Sequence, residues 1–460
     1  MAGWREVLAN MASHVDDYYG ELKYRLRERM GGRNPIMIQP YRGYGTPHRL
    51  YLKGRVLEDK GINVASDDDS TWDNLVNMYK RFASTEIPYA RVRARFQGVE
   101  YDVVADDHGY FDVWIEPQHP LPTDGLWHKV ELELLHPLRK GGGPARATGM
   151  VLVPPPNAQY AVISDIDDTV LYTDAVNLLR MARIVVLGNA RTRLPFKGVA
   201  AFYRALFQGA NKNANNPLFY VSNSPWNLYD LLSDFFNLND IPIGPVLFLR
   251  NWGFAREQRP TFRRQHKLDS ARNMLALFPH LSFILIGDSG EEDPEIYTEL
   301  VSTYPNRIQA VYIRNVSRKL GRPTELRALA DKVLQAGSTL IMADDTWPLA
   351  QHAAHQGWIS PESLAEIDAA RRKDTTPPNP IEQLLGATDA AQAEPETVVI
   401  EPQPNQPAAM PKLSVPAGAI QEALLAGSTQ THKPPTVIVK SEEGSTPRPA
   451  SASAADKPSQ

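Results

Sequence analysis

The chain contains no cysteine. Disulfides, iron–sulfur clusters, cysteine–zinc sites and thiol catalysis are therefore excluded. Long apolar runs are missing too, and no stretch approaches the roughly 20 residues that a membrane-spanning helix requires. The N-terminal segment "MAGWREVLANMASHVDDYYGELKYRLRER" lacks the apolar core and small-residue cleavage site of a signal peptide, so a cytoplasmic protein is expected. Charge of one sign is not in excess. Lys and Arg number 49 against 53 Asp and Glu, a net charge of -4, which gives no global attraction to nucleic acid. Beyond Trp358 there is no aromatic residue, and from about Thr375 the chain is rich in Pro, Ala, Ser, Gln and Thr. Such a segment cannot bury enough surface to offset the cost of ordering, and residues 373–460 are expected to be a disordered tail. Within it "PTVIVKSEE" has strand character, but an unstructured segment is the favoured reading.

What is present divides into three further parts. Residues 1–34 space Trp4, Leu8, Met11, Val15, Tyr18, Tyr19, Leu22 and Leu26 as one helical face. The basic end of this helix could touch an anionic membrane surface, but Asp16, Asp17, Glu21 and Glu28 dilute the charge and favour packing on the next domain. Residues 35–156 are mostly β: "RLYLKGRVL", "ARVRARF", "VEYDVVAD", "YFDVWIEP" and "HKVELELL" alternate or are rich in β-branched and aromatic residues. We read a small β-sandwich, with "ADDHGYF" as a hairpin turn and "TWDNLVNMYKRFAST" as an intervening helix. His48, His108, His128 and His136 are scattered there and make no constellation. In residues 157–372, "AVISD", "LFYVSNS", "VLFLRN", "SFILIGDS", "QAVYIRNV" and "TLIMADD" alternate with helical patterns. Strands that are apolar throughout imply an α/β fold, a doubly wound parallel sheet covered on both faces. Its ligands are expected at the carboxyl ends of the strands.

Polar groups suited to one reaction stand at those ends. In "SDIDDTV" the carboxylate of Asp165, at a strand tip, can attack phosphorus. Asp167, two residues on, returns to the same side and can act as general acid and then as base. A carboxylate nucleophile approaching an anionic phosphate calls for a divalent cation, and oxygen-only ligands favour Mg²⁺. In "FYVSNSPW", Ser222 and Asn223 are candidate phosphate binders, with Ser224-Pro225 read as a helix cap followed by proline at the first helical position. Lys267 in "RRQHKLDSARNML", read at the start of a helix, supplies a cation for the phosphoryl group and the nucleophile. Asp288 in "ILIGDSGEEDPEIY" would complete the metal site. Asp293 could add a ligand, although its place before Pro294 favours a helix cap. Asp344 and Asp345 are read as turn residues, and Asp168 as a turn or supporting residue.

On these motifs the domain resembles the haloacid dehalogenase superfamily. More narrowly, "SDIDDTV", "YVSNSPWNLYDLL" and "GDSGEEDPEIY" resemble the catalytic domain of the actin-patch-protein phosphatidate phosphatases. The resemblance covers about Pro154 to Ala343, and "YGTPHRLYLKGRVL" is similar to bacterial members. It implies a haloacid-dehalogenase-like Rossmannoid fold and Mg²⁺-dependent hydrolysis of phosphatidate to diacylglycerol. Asp165 would be the nucleophile and Asp167 the acid/base, with Asp165, the Asp167 carbonyl and Asp288 as metal ligands. The tail lacks the actin-partner context of the fungal enzymes, so no cytoskeletal role is implied. Between Thr173 and Lys197, "AVNLLRMARIVVL" is the available cap, read as a helix packed over the site, with contact to an acyl chain as the second reading. Two alternatives stand beside the lipid phosphatase: hydrolysis of a soluble sugar phosphate, nucleotide or phosphoprotein, and a non-catalytic adaptor. Peripheral membrane contact is compatible with the first reading; nucleic acid is not expected as a partner.

Overall fold

The computed structural model describes residues 35–59, 85–122, 125–138, 143–166, 198–249, 260–316 and 322–375, with two short tail strands at 398–400 and 438–440. The expected helix over 4–30, that over 71–85 up to its last residue, the cap segment, Asp167, Asp168 and Thr169 lie outside the described residues, as does most of the tail.

The described residues form two sheets. The first is mixed: β1 (Ile36–Pro40), β2 (Gly43–Thr46), β3 (Arg49–Glu58), β4 (Arg91–Phe96), β5 (Val99–Val104), β6 (Tyr110–Ile115), β7 (Trp127–His136) and β8 (Arg146–Leu152). All of its pairs are antiparallel except β2 with β8. Alternation is clear on β7, where His128, Val130, Leu132 and Leu134 are buried and Lys129 and Glu131 are exposed. The sequence patterns place β3 to β7 but miss β1, β2 and β8, which are short or glycine-containing. The hairpin expected at "ADDHGYF" is corrected. The turn forms, with Asp106 Oδ1 accepting from the backbone N–H groups of His108 and Tyr110 at 3.0 and 2.8 Å. The flanking strands then part, β5 pairing with β4 and β6 crossing to β3.

The second sheet comprises β9 (Tyr160–Asp165), β10 (Leu218–Pro225), β11 (Val246–Leu249), β12 (Ser282–Asp288), β13 (Ile308–Arg314) and β14 (Thr339–Ala343). They lie parallel in the order β11-β10-β9-β12-β13-β14, with β15 (Val398–Ile400) antiparallel on the β14 edge. β16 (Ile438–Lys440) pairs antiparallel with β5 of the first sheet. The connecting helices are α1 (Val199–Gln208), α2 (Tyr229–Leu238), α3 (Pro260–Leu277), α4 (Asp293–Thr303), α5 (Arg322–Gln335), α6 (Trp347–His355) and α7 (Ser363–Thr375).

The period of two along each strand divides this sheet between two cores. Tyr160, Val162, Tyr220, Ile284, Ile286, Tyr312 and Ile341 join α1, α2, α6 and α7 in one. Ala161, Ile163, Phe219, Val221, Leu285, Val311 and Leu340 join α3, α4 and α5 in the other. Burial on both faces is why these strands read as continuous apolar runs. The chain enters at central β9, builds β10 and β11 to one side, then returns to build β12, β13 and β14 on the other. The order therefore reverses between β9 and β12, where α/β sheets open a crevice at their carboxyl ends.

The two sheets meet beside that crevice. Tyr41 lies between Trp226 and Tyr229, with ring centroids 4.3 and 4.8 Å apart. The backbone N–H of Arg42 donates to Tyr229 Oη at 3.0 Å, and Gln39 Nε2 donates to Asp230 Oδ1 at 2.8 Å. Trp226 also packs on Phe248, with centroids 5.1 Å apart, and only 7% of it is exposed. Trp226→Ala should therefore destabilise the junction by about 3 kcal/mol, the cost of deleting a large buried ring. Denaturant unfolding followed by far-UV circular dichroism would measure it. A change below about 0.5 kcal/mol, the usual range of a surface substitution, would show that the ring is not part of a packed junction.

Candidate active site

Asp165 is the last residue of β9, only 1% exposed, and shares the strand face of Ala161 and Ile163. That face looks towards α3 and α4. On α3, Lys267 lies along the same buried stripe as Ala271, Met274 and Leu275, an i, i+4, i+7, i+8 series. Its ammonium is thus carried inward by an apolar helix face. There Nζ meets Asp165 Oδ1 at 2.7 Å, Asp293 Oδ1 at 2.7 Å and Glu291 Oε2 at 2.8 Å.

Asp288 ends β12, next to β9 in the sheet. Its Oδ1 accepts from the backbone N–H groups of Gly290 and Glu291 at 2.6 and 3.1 Å, while its buried Oδ2 has no hydrogen-bond partner among the described residues. Asp293 Oδ2 accepts from the Asp288 backbone N–H at 3.2 Å. This close approach requires glycine at 287, since a Cβ there would stand 2.3 Å from Asp293 Oδ2. Ser222, 1% exposed, lies near the end of β10, and Asn223 Nδ2 donates to Glu291 Oε2 at 3.1 Å.

Three carboxylates thus contact one ammonium, with Asp288 next to Asp293 as a fourth. Burial alone pulls the Lys267 pKa down, but Asp165, Asp293 and Glu291 outweigh it and hold it well above the ordinary lysine value. Burial pushes Asp288 up to about 7, and the neighbouring Asp293 charge adds to this. Asp293 is likewise raised by burial, against the pull of Lys267. Ligand oxygens of Asp165, Glu291 and Asp293 lie within 4.8 Å of one another and could hold a metal ion. The surplus of negative charge and the unsatisfied Asp288 oxygen both fit an added cation.

Residues 160–315 match the family model described as "Phosphatidate phosphatase APP1, catalytic domain". The likeness to that family is confined to this segment. The chain is also 33% identical over 199 residues to Phosphatidate phosphatase APP1 of Saccharomyces cerevisiae, covering 43% of this chain and 33% of the yeast protein. An uncharacterized protein of Schizosaccharomyces pombe is 31% identical over 156 residues, covering 34% of this chain and 25% of that one. The chain therefore matches about a third or less of the length of these relatives. Among solved structures, a carbohydrate acetylesterase from Xanthomonas citri aligns over 66% of this chain and 74% of its own, at 13% identity and a TM-score of 0.22. A score that low carries no structural argument.

Several local expectations within this domain are corrected. Ser224 and Pro225 do not begin a helix: β10 continues through Pro225 after an irregularity in its pairing, and a 3-10 turn at Trp226–Leu228 precedes α2. Lys267 lies in the interior of α3, not at its start. Asp293 is the first residue of α4 rather than its cap, and its carboxylate turns to Lys267 and the Asp288 backbone. The structure brings Asp165, Lys267, Asp288 and Asp293 together with Ser222 and Asn223 at the adjacent strand end. Asp345 Oδ1 accepts from the Trp347 backbone N–H at 2.9 Å, the behaviour of a turn residue.

Two participants escaped the sequence reading. Glu291 is one, hidden within an acidic run. His266 is the other: burial lowers its pKa to about 4, and its ring reaches the Leu247 backbone carbonyl at 3.2 Å. A neutral imidazole there ties α3 to β11. The basic cluster "RRQHK" concealed it.

The raised Asp288 pKa makes stability pH-dependent. The folded state holds this proton more tightly than the unfolded chain, whose ordinary carboxyl value is 3.8. Its stabilising contribution is fully present below 3.8, falls as pH rises above that value and is gone above about 7. In chelator, Asp288→Asn should raise the unfolding temperature by several degrees near pH 8 and by clearly less near pH 5. An equal gain at both would rule out Asp288 as the titrating group.

Proposed function

We propose that this chain is a phosphoric monoester hydrolase of haloacid-dehalogenase-like type, acting on phosphatidate through an aspartyl-phosphate. What supports this reading is Asp165, placed at the switch point of the sheet with its carboxylate buried against Lys267 and beside Asp288 and Asp293. The family match and the name of the yeast relative support the substrate class.

Asp165 attacks phosphorus, and the bond to the ester oxygen breaks. The leaving oxygen takes a proton from Asp167, which lies outside the described residues and whose role rests on its motif. Asp167 then removes a proton from water, whose oxygen attacks phosphorus, releasing inorganic phosphate and restoring Asp165. Lys267 offsets charge on both the nucleophile and the transferred group, already in place before substrate binds. Ser222 and Asn223 hold phosphate oxygens from the neighbouring strand end. Asp165, Asp167, Asp288 and Asp293 would hold Mg²⁺, which when bound screens the phosphate's charge from the attacking carboxylate.

In this reading residues 157–372 are the catalytic domain and residues 35–156 are a β-sandwich-like domain docked beside it; the tail expected to be disordered is corrected where it is described, since Val398–Ile400 pairs with β14 and Ile438–Lys440, within "PTVIVKSEE", pairs with β5. No helix among the described residues is long and apolar enough to cross a membrane. A cytoplasmic enzyme would therefore meet a lipid headgroup by peripheral contact.

Phosphate release from phosphatidate vesicles, measured with Mg²⁺ and with chelator, tests this. Wild type should be active only with the ion, and Asp165→Asn should fall by at least ~10³-fold while keeping its circular dichroism spectrum. Undiminished activity in that variant would overturn the mechanism. A panel of soluble phosphomonoesters run alongside tests the substrate: release from that panel alone would exclude the lipid reading.

A further inference from the structure

Three carboxylates contact Lys267, but they are not equivalent. Asp165 and Asp293 are 1% and 0% exposed, fixed at a strand end and in the first turn of α4. Glu291 lies between β12 and α4, and 31% of its side chain is exposed. Its backbone is anchored, the N–H donating to Asp288 Oδ1 at 3.1 Å, while the longer side chain has solvent beside it. A single oxygen, Oε2, accepts from both Lys267 Nζ at 2.8 Å and Asn223 Nδ2 at 3.1 Å.

Those two donors come from different elements, α3 and the end of β10, and they are the groups assigned above to the phosphoryl oxygens. An anionic oxygen bridging them does what a phosphate oxygen would do. We propose that the Glu291 carboxylate is a built-in surrogate for the substrate's phosphate, holding Lys267 and Asn223 at the right separation and yielding them when phosphate enters. The role rests on the phosphatase reading. It makes Glu291 a positioning residue that lowers affinity for phosphate in proportion to how firmly it occupies these donors. Lys267 keeps Asp165 and Asp293 after the exchange, so the ammonium is never left unpaired. Product affinity is lowered too, because released phosphate must compete with a tethered carboxylate for the same two donors.

The test compares wild type with Glu291→Gln and Glu291→Ala, using inorganic phosphate as the probe in the presence of Mg²⁺. Phosphate binding is read by calorimetry and as competitive inhibition of phosphatidate hydrolysis. Both variants should bind phosphate about tenfold more tightly, with the Mg²⁺ concentration for half-maximal activity unchanged. Unchanged or weaker phosphate binding would overturn the proposal. So would a several-fold rise in the Mg²⁺ requirement, which would make Glu291 a metal ligand instead. Loss of fold on either substitution would also count against it, since a displaceable group cannot be essential to the core. A wild type that neither hydrolyses phosphatidate nor binds phosphate would defeat the phosphatase reading itself. A wild type that does both, beside variants of unaltered phosphate affinity, would defeat only the role of Glu291.

Discussion

The buried ammonium of Lys267 is the constraint on which the rest of the site depends. A lysine only 4% exposed has lost nearly all of its hydration, a cost of several kcal/mol unless opposite charge replaces the water. Here Asp165 does so from β9, and Glu291 and Asp293 do so from the stretch that leads from β12 into α4. The compensation exists only when β9, α3 and the β12–α4 connection are all in place. The same arrangement overshoots, gathering more carboxylates than one ammonium can neutralise. A site built this way is rigid in its cation and hungry for another, the condition a phosphate-handling centre needs.

The sheet supplies that rigidity. Strand ends buried on both faces have little freedom to relax, so a carboxylate at the tip of β9 or β12 stays where the hydrogen-bond register puts it. Gly287 lets Asp293 close directly on the β12 backbone, and α4 begins at that point. The positive end of the α4 dipole therefore lies where the acidic surplus is greatest and offsets part of it. Asp293 is better placed as a charged group at a helix start than as a cap, because its oxygens are already committed to Lys267 and the Asp288 N–H.

The parallel sheet was legible because double burial leaves a direct trace, strands apolar at every position. The Asp165 motif and Asp288 were legible because they end such strands. Lys267 was legible as a participant but not in its placement: it was read at a helix start, whereas its spacing to Ala271 and Met274 marks it as inward-facing within α3. Glu291 was not legible, since nothing in "GDSGEEDPE" distinguishes it from the exposed Glu292 beside it. Strand pairing in the first sheet was not legible either. The turn at Asp106 has ordinary local chemistry, and only tertiary packing sends β6 to β3 instead of β5.

The junction of the two sheets joins the β part of the chain to the site chemically as well as spatially. Tyr41 and Arg42 engage Trp226 and Tyr229, which directly follow the segment carrying Ser222 and Asn223. Without the first sheet, the faces of Trp226 and Tyr229 would be left against water, and the turn between β10 and α2 would lose its outer wall. That turn sets where Asn223 stands relative to Lys267. A β-rich unit with no candidate metal cluster of its own among the described residues can therefore matter to the chemistry, through the distance it fixes between two donors on the neighbouring sheet.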